Sequence, residues 1–153
     1  MGAALKIQTL GLRLPAFSSP VANYVSAVRT GNLLYLSGVG PVTFEGTLVT
    51  GRVGDEIGAN EAKDAARLVG LQILATLQHE LGSLDRVRKI VKILGMVNCA
   101  PNFTEMPLVL DGCSDLLVEV FGREIGAHAR SAVGVSELPF HLCLEVELIA
   151  EIG

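Results

Sequence analysis

The fold is decided near the end of the chain, where residues 128–150 read HARSAVGVSELPFHLCLEVELIA. This stretch predicts two strands joined around a Leu-Pro turn. In the second strand two sets of residues alternate, and a period of two sends them to opposite faces of a sheet. The set predicted to face the core is Leu142, Leu144, Val146, Leu148 and Ala150, and the other set is Cys143, Glu145, Glu147 and Ile149. One face is therefore a core face, and the other carries two carboxylates in line.

Arg130 lies in the first of these strands, and the residues that share its face, Ala132 and Gly134, are small. A guanidinium with small neighbours stands beside open space, and its fixed charge near the carboxylates of the next strand suits the binding of a small anion. The alternative is an outward-facing ion pair on an edge strand, because surface charges are mostly just solvated. The residues alone leave both interpretations open.

Upstream of this stretch the sequence predicts four more strands. Residues 24–29 and 33–37 form a hairpin around the turn Thr30-Gly31-Asn32. A short segment among glycines, 47–53, predicts a third strand. The β-branched and apolar run at 88–97 predicts a central strand.

The helices are predicted from their spacing and their end signals. A long helix begins near Ile57 or Asn60 and ends at Leu81, with Gly82 as its stop. Its buried stripe recurs at gaps of three and four residues and consists of Ala62, Ala66, Val69, Ile73 and Leu77. A second helix has Pro107 in its first turn and ends at Gly122. Residues 6–12 predict no more than a short helical turn.

The resulting element order, β-β-β-α-β-α-β-β, is typical of a two-layer α+β fold with two helices on one face of a sheet. The length of 153 residues predicts one domain that spans residues 1–153. The other face of the sheet must be solvated or packed against a partner. Half of the residues are hydrophobic and only 18% are charged, which favours an oligomer.

Composition also narrows the classes of function. The net charge is −4 and no basic run tracks a phosphate backbone, which argues against a nucleic-acid partner. Cys99, Cys113 and Cys143 lack CxxC spacing and indicate reduced thiols of an intracellular protein. The sequence shows neither an export signal nor a membrane-spanning run, so we expect a cytoplasmic protein without a membrane partner.

The spacing of residues predicts neither a metal site nor a catalytic serine. His79, His128 and His141 lack any ligand spacing, so we expect neither a metal site nor a cofactor. Ser114 has no base placed beside it by the sequence. His128 shares strand parity with Arg130 and could touch an anion pocket, but a structural or surface histidine is the favoured interpretation.

Three segments together resemble the RidA/YjgF family of reactive-imine deaminases, whose members were formerly labelled endoribonuclease L-PSP. They are HARS followed by EVELIA at 128–150, GNLLYLSGVGP at 31–41, and LGSLDRV at 81–87. The resemblance covers nearly the whole chain. It implies a chorismate-mutase-like fold with a six-stranded mixed sheet, and a homotrimer with three clefts between its subunits.

The same resemblance implies which residues line the site. Arg130 matches the arginine that binds the substrate carboxylate, and Glu145 matches the glutamate that orients or activates water. Tyr24 matches a tyrosine that helps to close the pocket. Ser37 and Gly38 match a Ser-Gly pair whose backbone lines it. Of these residues, Arg130 and Glu145 are expected to be catalytic, and no cofactor is implied.

The sequence departs from the family pattern at three places. Ala132 replaces the usual cysteine, Asp111 replaces the usual asparagine at the start of the second helix, and the connector before Arg130 is longer. These features resemble a longer subgroup of the family. Asp111 would repel a carboxylate or bind an ammonium, so it is a further candidate substrate-binding residue.

The function implied is hydrolytic deamination of reactive enamines or imines such as 2-aminoacrylate, which yields a 2-oxoacid and ammonia. Two alternatives remain open. One is a trimer that binds a small carboxylate without turnover, and the other is the endoribonuclease activity of the old family label.

Overall fold

The computed structural model describes residues 1–153 and contains three helices and five strands. In chain order they are α1 (Ala3–Thr9), β1 (Ala27–Thr30), β2 (Leu33–Val39), α2 (Ala59–Leu81), β3 (Val87–Asn98), α3 (Met106–Gly126), β4 (Ala129–Val135) and β5 (Leu144–Ile152). Two single 3-10 turns, Leu84–Arg86 and Pro139–His141, lie before β3 and before β5.

The five strands form one mixed sheet in the order β1-β2-β5-β3-β4. All neighbours are antiparallel except β3 and β4, which are parallel. The α+β class is thereby confirmed. The predicted third strand at 47–53, which would have made six strands, is wrong, because this segment makes only isolated bridges. Glycines in left-handed conformation at Gly46, Gly51 and Gly54 (φ 87°, 123° and 88°) turn the chain too often for a continuous ladder.

The expected number of two helices is also wrong. The predicted turn at 6–12 is a full helix that begins earlier, at Ala3, where the amide of Ala4 donates to Asp85 Oδ1 at 3.2 Å. α3 extends past its predicted end: the backbone leaves helical values at Gly122 (φ 76°, ψ 163°), yet one more turn continues to Gly126.

The long helix α2 confirms the periodicity argument. Every residue of the predicted stripe is fully buried. Gly82 ends the helix in the left-handed conformation (φ 75°), where its amide donates to the carbonyl of Gln78. Gly112 of α3 lets the two helices approach closely, because a Cβ there would collide with the carbonyl oxygen of Lys63 in α2.

Within β5 the two faces separate as the alternation predicts, but the placement of Cys143 opposite the core is wrong: it lies before the first residue of β5 and is fully buried in the core. Leu144, Val146, Leu148 and Ala150 are buried under the helices, whereas Glu145, Glu147 and Ile149 are not. The opposite, helix-free face is partly apolar. It has a hollow of about 400 Å³ that is lined by Tyr35, Leu36, Lys92, Leu94, Ser131, Glu147, Leu148 and Ile149.

The strand register assigns Arg130 and Glu145 to different faces. Arg130 pairs with Ile93, which is fully buried on the helix side, and Glu145 pairs with Met96, three residues further along the same strand. Directly paired residues share a face, and residues three apart on a strand do not. β3 also lies between β4 and β5. The expectation that Arg130 stands near the carboxylates of the last strand within one chain is therefore wrong.

None of the three helices combines the length and the apolar character that crossing a membrane requires.

Candidate functional site

Arg130 reaches from the edge strand β4 to the surface of α3. Its Nη1 donates to Asp111 Oδ1 at 2.8 Å and to Ser114 Oγ at 3.1 Å. Asp111 and Ser114 are three residues apart and so lie on one face of the helix. The guanidinium has five N–H groups, of which those on Nε and Nη2 make no hydrogen bond. The side chain is 23% exposed. A fixed cation thus keeps free donors with which to bind a small anion.

Ser114 is hydrogen-bonded in turn to His128, with 3.0 Å between Oγ and Nε2. The other ring nitrogen, Nδ1, lies 2.6 Å from the carbonyl oxygen of Gly126. Because a carbonyl only accepts, Nδ1 carries the proton and Nε2 accepts from the serine hydroxyl. Burial lowers the pKa of His128, and the charges of Arg130 and Lys89 lower it further, against the opposing effect of the Gly126 bond. The ring is therefore neutral near pH 7.

The Ser114–His128 pair corrects the expectation that no base is placed beside Ser114, and the structural interpretation of His128 stays a prediction. Together with Asp111 and Arg130 the pair lines an open hollow of about 240 Å³ at the junction of α3 and β4. The shared parity of His128 and Arg130 was the one sequence signal for this cluster. The bond to Ser114 depends on how β4 docks against α3, which local patterns do not encode.

Glu145 occupies a different environment on the helix-free face. It makes no hydrogen bond, and burial raises the pKa of its carboxyl group. Glu145 Oε2 would lie 3.3 Å from a Cβ atom at position 38. Because residue 38 is a glycine, the space beside this carboxylate oxygen stays open. Glu147, the next carboxylate on this face, is exposed and faces the hollow beside Lys92.

Tyr24, Ser37 and Gly38 meet at the end of β2. They line a small hollow of about 90 Å³ together with Ser18, Pro20, Ser26, Val39 and Thr76. The Ser37 hydroxyl donates to the carbonyl of Val25 at 2.7 Å and so ties the start of the hairpin to its second strand. Tyr24 is 54% exposed, so its ring stands at the rim.

The site residues predicted from the sequence, together with Ser114 and His128, thus fall into two groups within one chain. The first, termed the Arg130 region, contains Arg130, Asp111, Ser114 and His128. The second, termed the Glu145 region, contains Glu145, Gly38, Ser37 and Tyr24. The Arg130 region lines one hollow, and Tyr24, Ser37 and Gly38 line another. Glu145 lines neither of these hollows and is grouped with the second set through its approach to Gly38. No hydrogen bond joins the two regions.

The two buried cysteines, Cys113 and Cys143, supply no reactive thiol to either region. Burial raises the pKa of Cys113 to about 12 and that of Cys143 to about 11, so both thiols stay protonated and unreactive. No three His, Cys, Asp or Glu side chains are grouped so that they could hold a metal ion.

A third polar cluster fixes the loop between β4 and β5. His141 lies between two carboxylates, with Nδ1 at 2.9 Å from Glu137 Oε1 and Nε2 at 2.7 Å from Glu56 Oε1. The hydrogen bonds to Glu137 and then Glu56 raise the pKa of His141. The bond to His141 is the largest effect that lowers the pKa of Glu56, whereas for Glu137 the amide of Leu138 has the larger effect. Phe140 and His141 both adopt positive φ (58° and 56°), so this cluster holds a strained turn in place.

Comparison with known proteins agrees with the fold and the motifs. A family model described as "YjgF/chorismate_mutase-like, putative endoribonuclease" matches residues 5–152. The chain therefore belongs to the YjgF/chorismate-mutase-like family, and the resemblance to RidA/YjgF proteins is confirmed.

Individual relatives support the same assignment. The chain is 44% identical to Protein TCP17 of Trypanosoma cruzi over 98% of its length and 94% of that protein. It is 30% identical to the 2-iminobutanoate/2-iminopropanoate deaminase of Dermatophagoides farinae over 90% of its length and 92% of that protein. The crystal structure of Atu1372 from Agrobacterium tumefaciens superposes with a TM-score of 0.89 at 39% identity, and the match covers 99% of this chain and 93% of that one.

Proposed function

We propose that this protein hydrolyses small reactive enamines and imines that carry a carboxylate, such as 2-aminoacrylate, to a 2-oxoacid and ammonia. The observation that carries the proposal is the division of the site into two incomplete halves. The Arg130 region has free donors for a carboxylate but no base that is free of other bonds. The Glu145 region has an unbonded carboxylate of raised pKa but no cation.

The two halves meet when a second copy of the chain brings its Glu145 region to the Arg130 region of the first. A homotrimer with three such clefts suits a sheet that has one helix-free face with apolar side chains at its surface, among them Tyr35, Val133, Leu94 and Ile149. Closed cyclic symmetry gives each cleft one copy of each region. Light scattering coupled to gel filtration should give three times the 16.1 kDa chain mass.

In the cleft, Arg130 would hold the substrate carboxylate through Nε and Nη2, which gives the bidentate geometry that arginine favours. 2-Aminoacrylate first tautomerises to the imine. Glu145 then takes a proton from water while the oxygen bonds to the imine carbon, and it passes this proton to the imine nitrogen. Glu145 next takes the hydroxyl proton of the resulting carbinolamine and returns it to the amine as the C–N bond breaks, which releases ammonia and the 2-oxoacid and restores the carboxylate. Burial raises the pKa of Glu145, and a stronger base is better suited to this proton transfer.

Asp111 bears on the choice of substrate. It neutralises part of the charge on Arg130 at 2.8 Å, and it is 41% exposed, so it also faces the hollow. A purely anionic ligand meets a weaker net attraction there than it would beside an asparagine. A substrate whose nitrogen is protonated gains an attraction to Asp111 that offsets this loss.

The test is a coupled assay in which 2-aminoacrylate is generated in situ with and without the protein. Faster release of 2-oxoacid that requires Arg130 supports deamination. Tight binding of a 2-oxoacid without turnover would identify a binding trimer instead. RNA cleavage that survives nuclease-free repurification would support the endoribonuclease label, against which the net charge of −4 counts.

A further inference from the structure

The hydrogen-bonded chain from Ser114 through His128 to the carbonyl of Gly126 supplies no reacting group to the proposed deamination, in which Ser114 only helps to hold Arg130. We propose that Ser114 and His128 form a nucleophile–base pair, and that the hollow they share with Arg130 hydrolyses small uncharged carboxylic esters by acyl transfer through Ser114. This activity is separate from deamination and does not require Glu145.

The geometry meets the requirements for an activated serine. The base lies within hydrogen-bond reach of the hydroxyl, at 3.0 Å from Ser114 Oγ to His128 Nε2. A third group orients the base, because Nδ1–H donates to Gly126 O at 2.6 Å. This bond selects the tautomer whose free lone pair on Nε2 points at the serine proton. The backbone carbonyl here has the orienting role that a carboxylate has in serine-protease triads.

The surroundings keep the histidine in its proton-accepting form and stabilise a serine alkoxide, whereas burial and the charge of Arg130 disfavour the imidazolium that the transfer forms. Half-burial keeps His128 neutral and therefore able to accept a proton near pH 7. Arg130 Nη1 donates to the same Ser114 Oγ at 3.1 Å, so a fixed cation stabilises the negative charge that develops on this oxygen. The N–H groups on Nε and Nη2 of the same guanidinium make no hydrogen bond. They are the candidate donors to the oxyanion of the tetrahedral intermediate.

The lining of the hollow indicates the class of substrate. The hollow, about 240 Å³, is wide open to solvent, so it does not limit the length of the alcohol part, and a short acyl group such as acetyl is the simplest one to test. Its lining is mostly polar or small, with Val118 and Ala127 as the apolar members. A neutral ester avoids competition with Asp111 for the charge of Arg130.

The reaction balances without any co-reactant except water. Ser114 Oγ bonds to the ester carbonyl carbon while its proton passes to His128 Nε2. The bond from that carbon to the alcohol oxygen then breaks, and the leaving alcohol takes the proton from His128. Water repeats both steps on the acyl-serine and releases the carboxylic acid, which restores Ser114 and His128 to their starting forms.

A fluorophosphonate probe tests this proposal directly, because it phosphonylates activated serines and spares ordinary ones. We expect one adduct per chain on the peptide that contains Ser114, and turnover of 4-nitrophenyl acetate that the adduct abolishes. Ser114→Ala and His128→Gln should remove both signals while the oligomer and its melting temperature are retained. Ser136, which is more exposed and has no histidine partner, is the internal control and should stay unlabelled.

Three results would overturn the proposal: no adduct on the folded protein, an adduct that His128→Gln leaves unchanged, or labelling of Ser136 to the same extent. If His128→Gln lowers the melting temperature, the pH dependence of labelling in the wild type tests the role of His128 instead. Labelling of Ser114 must decline as acid protonates His128, and because the pKa of His128 is lowered, this decline must occur below the ordinary pKa of histidine. Glu145→Gln removes the base of the proposed deamination and should still be labelled at Ser114. Failure of one proposal is thus distinguishable from failure of the other.

Discussion

The Arg130 region and the Glu145 region differ in how their charges are accommodated. Arg130 is held by Asp111 and Ser114, and Ser114 is held by His128, so the cation is fixed before any ligand arrives. Glu145 is half-buried and has no hydrogen-bond partner, which raises the free energy of its ionised form. In the proposed deamination, the first arrangement suits binding and the second suits proton transfer.

This difference gives each region its own experimental signature. Changes in the Arg130 region should alter affinity for carboxylates more than chemistry. Changes at Glu145 should alter the rate more than affinity, because a group that acts only in the transition state leaves ground-state binding intact.

The largest effect is expected for Glu145→Gln, which is nearly isosteric but cannot act as a base. Imine hydrolysis should fall on the order of 10²-fold or more, while calorimetry shows an unchanged affinity for a non-reactive 2-oxoacid. In the wild type, the rate should decline toward acid pH from above the usual carboxyl range, because burial raises the pKa of Glu145. Glu147→Gln, on the same face but exposed, is the matched control and should retain the wild-type rate.

Arg130→Lys should have the next largest effect. Lysine keeps the charge and fits beside Ala132, but it lacks the fork that donates two parallel hydrogen bonds. Affinity for a 2-oxoacid should fall by roughly 1–3 kcal/mol, the usual contribution of a charged hydrogen bond. An affinity equal to that of the wild type would mean that Arg130 serves only its ion pair with Asp111.

Asp111→Asn should change the affinity in the opposite direction. Removing this carboxylate, 2.8 Å from Arg130, leaves the cation less neutralised, so a small monocarboxylate should bind more tightly by about 1 kcal/mol. The gain should shrink at high salt because both groups are partly exposed. Unchanged calorimetric affinity at low salt would assign Asp111 a purely structural role.

The smallest effect is expected outside both regions, at the His141 cluster that fixes the loop between their strands. The pKa of His141 is raised in the folded protein, so protonated His141 stabilises the fold. This contribution is complete below the pKa of histidine in the unfolded chain, about 6.5, and is lost as the pH rises through the higher pKa of the folded protein. The pKa values of Glu56 and Glu137 are lowered, so their stabilisation is complete above about 4.3 and is lost in stronger acid. The cluster is therefore strongest between those limits.

Thermal melts of the wild type and His141→Gln measure this dependence. The difference in melting temperature should be larger at pH 5.5 than at pH 9. Equal differences at both pH values would show that protonation of His141 does not contribute. Retained deaminase activity in the variant would confirm that the cluster lies outside the two regions.

Local periodicity made much of this fold predictable. The alternation in β5 and the stripe on α2 depend only on residue spacing, and the structure confirms both. The third strand was mispredicted because its apolar residues fit a ladder while Gly51 and Gly54 turn the backbone away from one.

The arrangement of the site was not predictable in the same way. That Arg130 and Glu145 lie on opposite faces follows from the pairing of β3 with both β4 and β5, which is a long-range property. The bond between Ser114 and His128 likewise depends on the docking of α3 against β4. A single chain's spacing suggests which residues carry chemistry but not which of them meet.

The central claim, that each site is completed by two subunits, is tested most directly by mixing two inactive variants. Arg130→Ala lacks the binding half and Glu145→Gln lacks the catalytic half, and co-expression with two different tags yields mixed trimers. In every mixed trimer, one of the three clefts combines an intact Arg130 from one chain with an intact Glu145 from the next. We therefore expect the doubly tagged trimers to recover imine hydrolysis far above either variant alone. Trimers that contain both chains yet stay as inactive as the separate variants would contradict the account.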